Sequence, residues 1–154
     1  MRSSVRLIVP DVPDRDLLQQ GTLLRRTRLE YLSTLRSIEE RMRELSRQSR
    51  ELPGGYPTLV VQRRLDSGSS ALRWFSHGHR MLSEERFLAS VHGYAPAPRA
   101  WILASHLQSR WLNSHARVCR LLAEEYSALA EVLAKSSSPV VLTDCSSSGG
   151  LHHG

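Results

Sequence analysis

Two long segments of this 154-residue chain carry apolar residues at the spacing of an α-helix, and this pattern restricts the fold more than any other feature. The first segment begins near Asp14, and the Pro-Gly-Gly sequence at 53–55 ends it. Gly21 either divides it into a short and a longer helix or weakens a single helix. Its apolar residues form one narrow stripe: Tyr31, Leu35, Ile38, Met42 and Leu45.

The second segment runs from Pro98 to about Lys135 and predicts a helix of similar length. At a rise of 1.5 Å per residue, each helix would be about 55 Å long. Two narrow apolar stripes of equal length are buried most simply when the two helices pack antiparallel. The stripe predicted for the second helix consists of Trp101, Ala104, Leu107, Trp111, Val118, Leu122, Tyr126, Leu129 and Leu133.

Between these segments the pattern changes to that of a β-hairpin at about 57–76. Two runs rich in β-branched and apolar residues are separated by a turn of Asp, Ser and Gly. An isolated hairpin is marginal in water, so it must pack on the helices or add strands from a second chain. Its apolar residues are Leu59, Val61, Leu65, Leu72 and Trp74.

After the hairpin, Ser83 followed by Glu84 and Glu85 predicts the start of a short helix that extends to about Val91. The expected fold class is therefore mainly α (α+β), with two long antiparallel helices, an inserted β-hairpin and a short helix. These elements form one domain over residues 13–135. Residues 1–12 are expected to be a flexible arm, and the Ser- and Gly-rich residues 136–154 a disordered tail.

The charge is carried almost entirely by arginine. Of the 21 basic residues only Lys135 is a lysine, and the formal net charge is +6. Guanidinium groups suit phosphate and carboxylate, so a nucleic acid or an acidic partner is one explanation. Replacement of lysine by arginine in a GC-rich genome is the other. No apolar run is long enough for a membrane span, and no secretory leader is evident, so we expect no membrane partner and a cytoplasmic location.

Arginine residues are concentrated in two regions, and both are candidates for nucleic-acid binding. The first helix carries four on one side, although Glu39 and Glu44 lie on the same surface and favour a solvated helix with weak ion pairs. The hairpin carries four more, next to Trp74 and Phe75, which could stack on bases or pack in the core. The eight candidates are Arg36, Arg43, Arg47, Arg50, Arg63, Arg64, Arg73 and Arg80.

No arrangement typical of catalysis or metal binding is evident. His77 with His79, and His115 with Cys119, are pairs that each supply two ligands where a closed zinc site needs four. The sequence has no nucleophile elbow and no glycine loop for phosphate. We therefore expect a protein that is not an enzyme and uses no cofactor and no metal.

The element order, with Leu72-Arg73-Trp74 in the second strand before the long C-terminal helix, resembles an uncharacterised bacterial domain-of-unknown-function family encoded on integrating conjugative elements. The resemblance covers about residues 15–135. It implies a cytosolic accessory protein of a mobile genetic element, with no established activity. The predicted function is thus a non-enzymatic accessory protein that binds DNA or RNA through arginine, as a monomer or a homodimer. The alternative is a protein-interaction or oligomerisation module with no nucleic-acid role.

Overall fold

The computed structural model describes residues 14–136 and contains three helices and one β-hairpin. In chain order these are α1 (Asp14–Arg50), β1 (Thr58–Arg63), β2 (Ser70–Phe75), α2 (Glu84–Val91) and α3 (Pro96–Ser136). The predicted α+β class, hairpin and short helix are confirmed. The predicted arm lies outside the described residues, as does the predicted tail apart from Ser136, which ends α3. In residues 14–136, no helix combines the length and hydropathy that a bilayer crossing requires.

The helix α1 continues through Gly21 without a break. The apolar stripe predicted for α1 is confirmed. Ile38, Met42 and Leu45 are buried, and the more N-terminal members of the stripe pack against the same core. The rings of Tyr31 and Tyr126 are 5.7 Å apart between centroids.

The stripe predicted for α3 is wrong at five of its nine residues, whereas Trp101 packs against the core and Tyr126 contacts α1. Leu107, Trp111 and Val118 are exposed, whereas the buried positions lie one residue away in the helical repeat. Most of the buried side chains are small, and they allow α1 and the hairpin to approach α3 closely. The spacing of large apolar side chains in the sequence does not indicate this face of α3. Its buried residues are Ile102, Ser105, Ser109, Leu112, Ala116, Cys119 and Ala123.

The hairpin strands pair antiparallel, from Thr58 opposite Phe75 to Arg63 opposite Ser70. Gly68, with a φ of 61°, takes the left-handed conformation that the connecting turn requires. Alternation along the strands buries Leu59, Leu72 and Trp74, as the sequence predicted for them. Leu65 is fully exposed at the turn, so its predicted packing is wrong.

Side chains from the two long helices form hydrogen bonds with one residue on each outer edge of the hairpin. On the β1 edge, the Ser46 hydroxyl donates to the Leu59 carbonyl at 2.7 Å, and the Leu59 N–H donates to Ser49 Oγ at 2.9 Å. On the β2 edge, the side-chain amide of Asn113 bonds to both backbone groups of Leu72. Its Oδ1 accepts from the Leu72 N–H at 2.8 Å, and its Nδ2 donates to the Leu72 carbonyl at 3.0 Å. The hairpin therefore lies between α1 and α3 with both edges bonded.

The short helix α2 covers one end of this core. The Ser83 side chain accepts a hydrogen bond from the Arg86 N–H, so Ser83 is the N-cap that the sequence predicted. Glu84 and Glu85 occupy the first turn, where the helix dipole favours carboxylates. Phe87 and Val91 are buried and fix α2 against the rest of the molecule.

We expect Asn113→Ala to lower the free energy of unfolding by about 1 to 3 kcal/mol, because it leaves the N–H and C=O of Leu72 without partners in a partly buried position. Urea unfolding monitored by circular dichroism measures this change. Ser114→Ala, one residue along the same helix and exposed, is the matched control and should stay within about 0.5 kcal/mol of the parent. Equal effects of the two substitutions would contradict the bonding role of Asn113.

Gly21→Ala should stabilise the protein by about 0.5 to 1 kcal/mol, because glycine loses more backbone freedom than alanine in a helix interior. A methyl group at position 21 would lie 3.5 Å from Cδ2 of Leu133, which is ordinary van der Waals contact. The measurement is the melting temperature. A decrease would mean that the α1–α3 contact at this point is too close for a methyl group.

Candidate functional site

An open groove of about 750 Å³ lies between the β2 edge and α3. It is larger than a second groove of about 260 Å³ beside β1. Its walls come from the hairpin turn, β2, α2 and the middle of α3, so residues far apart in sequence meet there. The polar residues that line it are Arg64, Ser69, Ser70, Arg73, Glu84, His106, Ser109, Arg110, Asn113, Ser114, Arg117 and Arg120.

The groove is strongly basic, because the described residues that line it include five arginines and one carboxylate, Glu84. Glu84 is already engaged, because the Arg110 guanidinium donates a hydrogen bond to it. Within residues 14–136, the other four arginines have no carboxylate at ion-pair distance: Arg64, Arg73, Arg117 and Arg120. The groove therefore carries positive charge that its own residues do not neutralise, a setting that favours an anionic ligand.

Two arginines of this groove, Arg64 and Arg73 of the hairpin, were predicted from the sequence. The groove arginines of α3 were not. Their signal is a spacing of three, four and three residues through Arg110, Asn113, Arg117 and Arg120. This spacing places the basic side chains on the same side of α3 as Asn113. Because Asn113 is bonded to Leu72, that side of α3 lies against β2.

Aromatic rings form the floor of the groove and are not free for stacking on bases. Trp74 is 6% exposed and stacks on Phe87, with 4.7 Å between ring centroids. Its indole N–H donates to Nδ1 of His106 at 3.2 Å, and Nε2 of His106 lies 3.4 Å from Glu84 Oε1. The Trp74 ring therefore packs in the core, so the base-stacking role considered for it has no support in this arrangement.

The arginines predicted on α1 lie mainly at the opposite edge of the hairpin. A smaller groove of about 260 Å³ beside Val60 and Val61 is lined by Arg43, Arg47 and Arg50. These side chains are largely engaged by their own helix. Arg43 lies 3.8 Å from Glu39, Arg47 pairs with Glu44 and Glu51, and Arg50 donates to Ser46 Oγ at 3.5 Å.

The remaining three predicted arginines are separate from both groups. Arg36 is exposed on α1, Arg63 ends β1 near the turn, and Arg80 lies in the loop after β2. The eight predicted residues therefore do not form one surface. The structure brings two of them together with three arginines of α3 and places three others along the β1 edge.

The two histidine and cysteine pairs find no further ligands in the described part of the chain. Residues 14–136 contain no group of three or more His, Cys, Asp or Glu side chains placed to hold a metal. Cys119 is buried between the helices, and desolvation raises the pKa of its thiol. The thiol at this position packs as a small apolar side chain.

Comparison of the chain with protein-family models, with curated proteins and with solved structures found no match.

The Glu44 carboxylate on α1 should titrate far below its ordinary value. Hydrogen bonds from Arg47 and then Gln48 favour its charged form and lower its pKa from 4.5 to about 2. Since the folded-state pKa is depressed, the stabilisation is complete above about pH 4.5 and is lost as the pH falls toward 2. A carboxyl-carbon NMR titration should give a midpoint near 2.

Arg47→Gln should move this midpoint back toward 4.5, whereas Arg43→Gln, which removes the partner of Glu39, should leave it in place. A Glu44 midpoint that does not respond to Arg47→Gln would show that Arg47 is not held by Glu44 in solution and is available to a ligand.

Proposed function

We propose that this protein is a non-enzymatic accessory factor that binds the sugar-phosphate backbone of a nucleic acid in the groove between β2 and α3. The observation that carries the proposal is the set of four arginines in one groove that have no carboxylate partner within residues 14–136. Planar, permanently charged guanidinium groups bind phosphate through paired hydrogen bonds, and Arg64 and Arg73 belong to the surface predicted from the sequence.

The composition of the groove favours binding that does not depend on base sequence. The aromatic rings are committed to the core, so contacts would come from guanidinium groups and from the hydroxyl groups of residues such as Ser69, Ser70 and Ser114. Such groups bond to phosphate oxygens, which position a nucleic acid but carry no sequence information. DNA and RNA are both possible ligands of this chemistry.

The two long helices would serve as a scaffold for this groove. The proposed antiparallel arrangement is supported by the Tyr31–Tyr126 contact and by the positions of Gly21 beside Leu133 and Arg41 over Trp111. In this arrangement α1 holds the β1 edge and α3 holds the β2 edge, so the basic groove keeps its shape. A cytosolic role beside a mobile genetic element rests on the sequence resemblance alone.

The test is binding of a fluorescein-labelled 20-base-pair duplex and the corresponding single strand, measured by anisotropy over a series of salt concentrations. We expect affinity that falls steeply with salt, because phosphate contacts release counterions. The double variant Arg64→Ser/Arg73→Ser should weaken binding and reduce the slope of log K against log salt by about 2, roughly one for each phosphate contact removed.

The matched control is Arg36→Ser/Arg43→Ser, which removes the same charge from α1 and should change the slope by less than about 0.5. If the two double variants behave alike, the groove is not the binding surface. Absence of binding to both probes at low salt would remove the proposed function. The rival function, a protein-interaction module, is favoured by a separate observation on α3.

A further inference from the structure

The helix α3 carries a second apolar stripe on the side that faces away from the core. With 3.6 residues per turn, its members lie roughly opposite the buried residues of α3. They are well exposed, with Leu107 at 69% and Val132 at 62%. An apolar stripe of about 44 Å on a solvent-facing helix is typical of an interaction surface. We call it the outer stripe: Leu103, Leu107, Trp111, Val118, Leu121, Leu129 and Val132.

A column of charged residues borders the outer stripe and changes sign along the helix. Arg110, Arg117, Glu124 and Glu131 follow one another at intervals of seven residues, which places them on the same side of the stripe. All four are exposed. The N-terminal half of the border is thus basic and the C-terminal half acidic. A second helix with this same sequence would complement the column only if it ran in the opposite direction.

We propose that two copies of this chain dimerise through their outer stripes, with the two α3 helices antiparallel around a twofold axis close to residues 118–121. In this register Val118 packs on Leu121 of the second copy, and Leu107 packs on Val132. The Trp111 ring, which is 52% exposed and has Arg41 of its own chain over it, lies opposite the small side chain of Ala128. Glu125, which lies within the stripe, faces Ser114 of the second copy, and the twofold axis repeats each contact.

The same register brings the charges together. Arg117 lies opposite Glu124 of the second copy. Arg110, which also pairs with Glu84 of its own chain, lies opposite Glu131. A parallel arrangement would place arginine against arginine and glutamate against glutamate, which disfavours it. Within residues 14–136, Arg117, Glu124 and Glu131 have no ion pair inside their own chain, so they are available for such contacts.

This inference does not depend on nucleic-acid binding. Arg117 lies at the border of both surfaces, but the binding test above changes only Arg64 and Arg73, and the test of the dimer contains no nucleic acid. Failure of one proposal is therefore distinguishable from failure of the other.

The first experiment is sedimentation velocity of the full chain over a range of concentrations. We expect a species of twice the monomer mass of 17.4 kDa. Leu107→Glu should give a monomer, because it would bury a carboxylate against Val132 of the other copy at both ends of the contact. The matched control is Leu29→Glu on α1, where a leucine of similar exposure, 61%, lies outside the outer stripe; it should stay dimeric. Circular dichroism checks that both variants are folded.

The second experiment tests the register by exchanging charges. Arg117→Glu alone and Glu124→Arg alone should each raise the dimer dissociation constant about tenfold, since each creates two like-charge contacts across the twofold axis. The double variant Arg117→Glu/Glu124→Arg should restore the dissociation constant of the parent. A monomer at every concentration, a Leu29→Glu variant that dissociates like Leu107→Glu, or a double variant without recovery would overturn the proposal.

Discussion

The free edges of the β-hairpin impose the constraint on which the rest of the structure depends. Two strands alone leave a row of backbone N–H and C=O groups on each side, and burying these groups without partners is costly. Here Ser46 and Ser49 of α1 satisfy Leu59, and Asn113 of α3 satisfies Leu72. Each bonded edge fixes the distance and register of one long helix. The basic groove exists because Asn113 holds the middle of α3 beside β2.

Much of the secondary structure was predictable from sequence, but the buried face of α3 was not. The Ser83 cap, the Gly/Ser turn and the apolar stripe of α1 are local signals, and the structure contains the elements they predict. On α3, five of the nine predicted stripe residues are exposed, and Ser105, Ser109 and other small residues face the core beside Ile102 and Leu112. Hydrophobic periodicity identifies an apolar face but does not distinguish a core from an interface, because both require the same side chains.

Only the hairpin part of the basic groove could be predicted from the sequence, and the reason is a different one. Arg64 and Arg73 are close in sequence, so the hairpin pattern alone places them together. Arg117 and Arg120 join them only through the pairing of Asn113 with Leu72, a contact between residues 41 positions apart. No local pattern specifies that pairing, since an asparagine in a helix is ordinarily solvated. For the arginines of α1 the opposite holds. Their spacing is evident in the sequence, but the structure shows ion pairs with Glu39, Glu44 and Glu51.

The two proposed surfaces lie side by side on α3, and their combination has a physical consequence. A twofold axis near residues 118–121 would relate the groove of one copy to that of the other, because both grooves border the same helix pair. A polyanion long enough to reach both would bind the second groove at high effective concentration, so the dimer would bind it more tightly than either copy alone. Arg117 would then contribute to the dimer contact, while Arg64, Arg73 and Arg120 remain to bind phosphate. Dimerisation and backbone binding would therefore reinforce each other, although Arg117 would then serve the dimer contact.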